Sequence, residues 1–593
     1  MRSIWAGLCL AAVSWGCAPP DEGGVASGGT GRTPGSAVGT ASYGRRTSEL
    51  TGGTLTISPS GDTAIASDPD RDQVLVMSLE SGRVLSRVTF TGRSRPGMAT
   101  VDGRGDFVVA LRGLGEVVTF SSRGNGYSNR RKVCSEPTGL AWNAANNTLL
   151  VACASGELVT LPDGASTPSA TEQPRFDLRD VIVTPTRTWV TTFRSSSLVA
   201  VGGSGGDSQP PSNAIGSAGS VFEPRVAWRT RPLPNGGLVM AHQRHVTGDI
   251  AAIQTPSAPT TPAYYTNTCT SPIVRSAVTV FDADGAVQSS IEVPGALPVD
   301  LAVAPDGTRA TLVLAGARRL WDVSLTGSSS TPSTTCSLSP SGPPLRFQPV
   351  AAAYRPNGEL VVQSHNPPQL VVFPPPEREE RVRYYPYNEP TVDDSAYELF
   401  HASVGGLACA SCHPEGRDDG HTWTFTQGKV RTQSLAGGLS QTAPYHWNGK
   451  LTSMQALMGE TFVLRMGGTE LESTELQAFE GWLDGIPAPG QAAVKSPDVV
   501  ERGKAIFSGT GGCDSCHSGP LLTNSATVDV GTGGAFQVPP LKGLRSRGPW
   551  MHDGCASTLG GRFDAACGGG KHGSTANLTG PQLQDLVSYL ESL

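Results

Sequence analysis

The sequence predicts a multidomain chain: an N-terminal all-β seven-bladed propeller over 49–375, then two mainly α units over 395–490 and 491–593. Three observations carry this expectation. At 593 residues the chain exceeds what one hydrophobic core organises. A strand–turn–strand phrase recurs seven times in its first two-thirds. Beyond a Pro-rich, charged stretch, that alternation gives way to helical spacing.

The elements follow in order. Residues 1–17, MRSIWAGLCLAAVSWGC, join one Arg to an apolar run and small residues, the pattern of an export signal rather than of structure. Gly16 before Cys17 resembles a bacterial lipoprotein signal. It predicts a lipid anchor at Cys17 and a place in the periplasm or outer membrane; ordinary cleavage is the alternative. Residues 18–48 are rich in Gly, Ser and Pro and read as a tether without a core.

The repeated phrase is an alternating apolar strand, a Gly/Asn/Asp turn and a second strand, as in LTISPSGDTAIAS from Leu55 and DLAVAPDGTRATLVL from Asp300. The first five copies begin 41 to 45 residues apart, the next step is 75 and the last just over 50. That period with short strands marks a β-propeller, and seven copies predict seven blades. The long step holds a Pro/Thr/Ser-rich insertion. The stretch 376–394 reads as a linker. After it, DDSAYELFHASV and SPDVVERGKAIFSG are each expected to form a short helix, and helices are expected again over 474–486 and 579–593.

Composition excludes some classes. A net charge of −6 leaves no footprint for nucleic acid, and no apolar run of membrane-spanning length follows the first residues. Export permits disulfides. Of twelve cysteines, Cys9 and Cys17 lie in the signal and four in C-x-x-C-H runs. The even remainder suggests the pairs Cys134–Cys153, Cys269–Cys336 and Cys555–Cys567, although sequence does not fix connectivity.

The chemistry sits in two motifs, Cys409-Ala-Ser-Cys412-His413 and Cys513-Asp-Ser-Cys516-His517. C-x-x-C-H is the pattern of covalent haem c attachment: two thiols take the vinyl groups and the adjacent imidazole takes the iron. His413 and His517 are therefore the expected proximal ligands of two haems c. A thiol redox pair is the plainer reading. Zinc would need a second Cys/His pair that neither site has. In the propeller, His242, His245 and His365 stand at expected blade ends, as ordinary loop histidines or as groups facing the haem units.

Over residues 395–593 the order of CASCHPEGRDDG, APYHWNGKLTSMQALM, CDSCHSGPLLTN and FQVPPLKGLRSRGPWMHDG resembles the bacterial diheme cytochrome c peroxidases and the related diheme oxidase that matures methylamine dehydrogenase. The propeller only loosely resembles YVTN- or WD-type repeats. The resemblance implies a peroxidatic first haem, an electron-accepting second haem, and Trp447 as the aromatic bridge between them. It places His552 in the second shell, with Asp553 and Gly554 shaping its turn. The family's distal glutamate falls where Gly467 stands, leaving Glu460 as the substitute acid, Met466 as a thioether ligand or a core residue, and His421 as a removable ligand or a loop histidine. At the second haem the family's sixth ligand falls on Ala566, and nearby His572 is the natural replacement.

Two readings of function stay open, with a third behind them. One is a peroxidase or peroxide-dependent oxidase, acting on hydrogen peroxide or a partner protein, with a small cytochrome c or copper protein as electron donor. The second is a non-enzymatic electron-transfer protein that docks through its propeller. The third is a sensor whose propeller binds a ligand.

Overall fold

The computed structural model describes residues 47–202, 207–215, 220–250, 265–266, 271–326, 343–426, 428–491 and 496–593. The expected signal, the anchor at Cys17, nearly all of the tether and the Cys269–Cys336 pair lie outside them.

Among the described residues, seven consecutive antiparallel sheets carry the chain from Leu55 to Pro386, with strands hydrogen-bonded in sequence order within each. The repeated phrases form the first two strands of every blade but the fifth, where a short strand, Asn213–Ile215, precedes them. In blade one these are Leu55–Ile57 and Thr63–Asp68; in blade seven, Pro349–Tyr354 and Leu360–Ser364. Strand alternation explains why these segments read as almost continuously apolar. Ile65, Val74 and Val76 turn one face of blade one towards blade two, and Ala64, Ala66, Leu75 and Met77 turn the other towards blade seven. Both faces of each inner strand are covered, so both parities are apolar. The ring closes side by side: the Thr54 hydroxyl bonds Gln363 of blade seven at 2.7 Å, and Gln363 Nε2 donates to the Ser67 carbonyl at 2.8 Å.

The long insertion separates the third and fourth strands of the five-stranded blade five, Leu238–Val246 and Val274–Phe281. The expected linker is in part a strand: Arg383–Pro386 is the outer strand of blade seven, paired with Gln369–Phe373. Cys134–Cys153 is a disulfide tying the start of blade three to its second strand.

The C-terminal region is poorer in helix than "mainly α" implied. Its longer helices are Ser473–Asp484, Pro497–Ser508 and Gly580–Glu591, at the expected places. Ser395–His401 and Cys409–Cys412 are short, and Met454–Met458 runs on into a π-helical turn, Gly459–Arg465. The remainder is loop, with hairpins at Thr422–Phe425/Gly428–Arg431 and Thr527–Asp529/Ala535–Gln537. Frequent Gly and Pro deny helix to these stretches.

The loop after the first motif is driven into the propeller. Glu415, buried and left-handed at φ 53°, takes bonds from Arg112 (2.5 Å) and Arg179 (2.6 Å). Arg417 bonds Glu136 at 2.7 Å, Asp418 receives Arg194 at 2.8 Å, and Asp419 lies 3.3 Å from His245. Beside this plug, helix Ser395–His401 lies on blades one and seven: Tyr397 stacks on His365 at 4.3 Å, and the Leu50 N–H donates to His401 Nε2.

Losing one partner of a buried ion pair costs about 3–5 kcal/mol. Glu415→Ala is therefore expected to lower the denaturation midpoint strongly, whereas Arg104→Ala, which breaks the exposed pair with Asp163, leaves it unchanged. Denaturant titration of both variants checks this. A pH dependence follows from Glu136. Burial alone would raise its pKa, but Arg417, Arg95 and Arg112 outweigh burial and hold it far below its ordinary 4.5. Its contribution is complete above about 4.5 and is lost as pH falls through the lowered value. Stability measured from pH 6 downward should drop less steeply in Glu136→Gln than in the wild type.

Candidate functional site

The first motif occupies one helical turn, Cys409–Cys412. Residues three apart on such a turn share a face, so both thiols point the same way. Neither is in a disulfide. Burial pushes the Cys409 thiol up to about 12 and the Cys412 thiol well above its ordinary 9.0, which disfavours thiolate redox chemistry. His413 follows at the end of the turn, and its Nδ1–H donates to the Arg417 carbonyl at 3.1 Å. That bond fixes the tautomer and leaves Nε2 for a metal. Burial lowers the His413 pKa and keeps the ring in its neutral, ligating form.

The second motif forms a 3-10 turn, Cys513–Ser515, at the end of helix Pro497–Ser508. Here too the histidine is anchored: His517 Nδ1–H donates to the Leu522 carbonyl at 3.1 Å. Both thiols and His517 line a largely apolar cavity of about 290 Å³. His572 enters the same cavity, 6.2 Å from His517 between ring centroids and tilted by 31°. Two imidazoles held on opposite sides of one metal at nitrogen distances of about 2 Å put their centroids roughly 6 Å apart. Burial, then the nearby charges of Arg562 and His517, push His572 down to about 3. The Cys555–Cys567 disulfide ties the His552 turn to the loop that leads to His572.

Arg431 and Arg547 also line this cavity and are buried. Arg547 donates to the carbonyls of Pro540 and Lys542 and forms no ion pair among the described residues. Burial lowers both pKa values, Arg431 to about 10. A charged guanidinium in an apolar cavity fits an anionic guest. Free paired thiols, anchored imidazoles and cationic walls together match the needs of a covalently held haem with carboxylate arms.

The two sites meet through a repeated turn. Ala443–Gly449, with the sequence APYHWNG, and Gly548–Gly554, GPWMHDG, both open on a cis X-Pro bond. Each carries an aromatic in an isolated bridge, a left-handed non-glycine residue and a side chain that caps the chain two residues on. The left-handed residues are His446 (φ 62°) and Met551 (φ 71°). The turns clasp each other's hairpins: the Gln537 N–H donates to the Trp447 carbonyl (2.7 Å) and the Arg431 N–H to the His552 carbonyl (2.6 Å).

Trp447 lines the second cavity, sends its indole N–H to the Arg431 carbonyl and meets the His552 ring at 6.3 Å, edge to face. His552 is buried and stacked on Phe536 at 3.6 Å; Asp553 caps the Cys555 N–H. Met466 packs in the large core cluster with Met454, Met458 and Phe462. Glu460 rides on the π-helical turn, bonded to Arg465 at 2.9 Å.

Two expectations need correction. His421 is no solvent-facing loop histidine but is buried: its Nδ1 meets Glu223 at 2.9 Å and its Nε2 the Val246 carbonyl at 3.1 Å, so the propeller holds both ring nitrogens. His242 is not at a blade end but inside a blade-five strand, fully buried on the Thr279 hydroxyl, where burial lowers its pKa to about 3. His365, just past the strand Leu360–Ser364, stands at a blade end and faces the first C-terminal unit as expected: it meets Asp70 (2.6 Å) and stacks on Tyr397 of helix Ser395–His401. Of the three propeller histidines, His245 is the one that meets the loop behind the first motif. The sequence reading missed His446; aligning APYHWNG with GPWMHDG would have found it.

No protein-family model matches the chain. It is 29% identical to methylamine utilization protein MauG of Methylorubrum extorquens, over 32% of this chain and 73% of that protein. It is 24% identical to hydrazine synthase subunit gamma of Kuenenia stuttgartiensis, over 37% and 82%. It is 26% identical to a cytochrome-c peroxidase of Denitromonas iodatirespirans, over 19% and 44%. The relatives point to redox proteins. Among solved structures, a chain of Kuenenia stuttgartiensis hydrazine synthase superposes with a TM-score of 0.43 at 15% identity, over 57% of this chain and all of that one.

Proposed function

We propose that the chain is an exported diheme c-type cytochrome that acts as a peroxidase or peroxide-dependent oxidase. The observation that carries this reading is the asymmetry of two like sites. At the second, His517 and His572 face one another across the cavity. At the first, no histidine stacks opposite His413 among the described residues, and the expected candidate His421 is held by the propeller. A closed site suits electron transfer, and an open one suits chemistry.

Haem iron, once held, supplies one-electron redox chemistry and, where one coordination position stays open, the activation of peroxide. The protein's part is positioning. Cys409, Cys412, Cys513 and Cys516 would form the thioether tethers. His413 and His517 present Nε2 because carbonyls hold Nδ1. Arg431 and Arg547 would meet the carboxylates, and the largely apolar wall of the second cavity would take the body of the ring. Trp447 stands at the junction, an oxidisable ring whose N–H is already satisfied, suited to connect the two sites. Hydrogen peroxide or a partner protein is the proposed substrate, with a small cytochrome or copper protein as donor. Export is supported by the signal-like first residues and by the disulfides; no helix among the described residues is long and apolar enough to cross a membrane.

The carrier reading keeps one observation in its favour: Gly467 stands where the family has its acid, while Met466 is buried close by. Spectra separate the two. Protein matured in a host with haem-attachment machinery should carry two haems by mass. Its oxidised form should show one low-spin and one high-spin signal and consume stoichiometric peroxide after half-reduction. His572→Ala should abolish the low-spin signal and leave the other unchanged. Two low-spin haems inert to peroxide would refute the enzyme and leave the carrier.

A further inference from the structure

The two cis-proline turns are copies, and they place His446 where the second site has Met551. Met551 lines the second cavity together with His517. By the same register, His446 belongs to the first site with His413. The rings of His446 and His413 are not stacked. Among the described residues, the His446 imidazole makes no hydrogen bond.

What stands behind His446 is ordered. Glu460 Oε1 lies 3.9 Å from His446 Nδ1 and accepts from Arg465 Nη2 at 2.9 Å. Arg465 lies over the Phe425 ring at 5.2 Å. Glu460 and Arg465 are brought together by the π-helical turn Gly459–Arg465, an irregularity that often marks working sites. His446 itself sits at φ 62°, a conformation that costs an L-residue about 1–2 kcal/mol and persists where the surroundings require it.

We propose that His446 is the residue that touches the ligand at the first site, and that Glu460 is a positioning residue acting through it. This rests on the diheme reading. It reverses the expectation from sequence, in which Glu460 is the acid at the iron. The chemistry suits a weak acid such as hydrogen peroxide: the neutral imidazole takes one proton and leaves hydroperoxide, and the Glu460 carboxylate stabilises the imidazolium through Nδ1–H. Arg465 holds Glu460 in place, donating to its Oε1 at 2.9 Å.

Cyanide binding to the oxidised holoprotein tests this, because hydrogen cyanide must surrender its proton to bind as the anion. General-base help contributes on the order of 10²-fold or more. His446→Gly, which suits the left-handed backbone, should slow cyanide binding at the first haem by about that factor and spare the second haem's low-spin spectrum. Glu460→Gln should slow it less, and the double variant should match His446→Gly alone. Should the glycine variant lose haem, His446→Asn tolerates the same backbone and must show the same slowing. Unchanged rates overturn the assignment. So do faster rates, which would mean that His446 blocks the iron. So does a Glu460→Gln defect that persists in full without His446. A wild-type chain that carries fewer than two haems overturns the diheme reading, and this assignment with it; two haems with normal cyanide kinetics in the variants overturn only the role of His446.

Discussion

Residues 413–421 fix where the chain beyond them lies, and they do it with charge. Glu415, Asp418 and Asp419 are almost completely buried, which is unfavourable for carboxylates unless counter-charges are already in place. The propeller provides them from separate blades: Arg112 after a strand of blade two, Arg179 and Arg194 from blade four, His245 from blade five. Between these carboxylates Arg417 reverses the sign and meets Glu136. Because Arg417 stands directly before Asp418, a slip of one residue would set Arg417 against Arg194 or Asp418 against Glu136. Such a network gives register and orientation more than net stability.

This plug also sets the first site. The turn begins at His413, and the carbonyl that receives its Nδ1–H belongs to Arg417, the residue pinned to Glu136. The orientation of the imidazole is therefore coupled to the docking of the propeller. His245 adds a second link: it lies over the Trp423 ring at 5.3 Å while meeting Asp419. A propeller that only tethered or recruited would need neither contact. Here it helps to build the site, in the way outer partners hold a metal's ligands.

How much of this could be read in the sequence depended on how local the signal was. The inner blade strands are buried on both faces, so segments such as Val74–Met77 and Phe107–Leu111 stand out, and all seven blades could be counted. The outer strands are exposed and polar: Ala170–Glu172 gave no pattern, and Arg383–Pro386 passed for linker. Helices such as Pro497–Ser508 were legible from their spacing, and the C-x-x-C-H histidines from chemistry alone. The plug was not legible. "PEGRDD" looks like a solvated loop, and Glu415 meets Arg112 across 303 residues of sequence. The commitment of His421 to the propeller depends on that same long-range fit.

The two C-terminal stretches that carry the C-x-x-C-H motifs share a scaffold, and their differences fall on a few positions. Each has a leading helix, a motif, a hairpin and a cis-proline turn, and each turn's carbonyl takes the other hairpin's N–H. Such reciprocity is what a duplicated unit gives when it packs on its own copy. On this common frame, His446 faces Met551 in register, and Trp447 faces His552. The first unit continues from its turn into Met454–Met458 and the π-helical turn that bears Glu460 and Arg465. The second instead carries a disulfide-bound loop that brings His572 to His517. One unit thus carries a second ring beside its motif histidine, while the other carries the Glu460–Arg465 ion pair beside His446. The shared clasp keeps the two units in contact through Trp447 and His552, so that the units differ in these side chains without differing in placement.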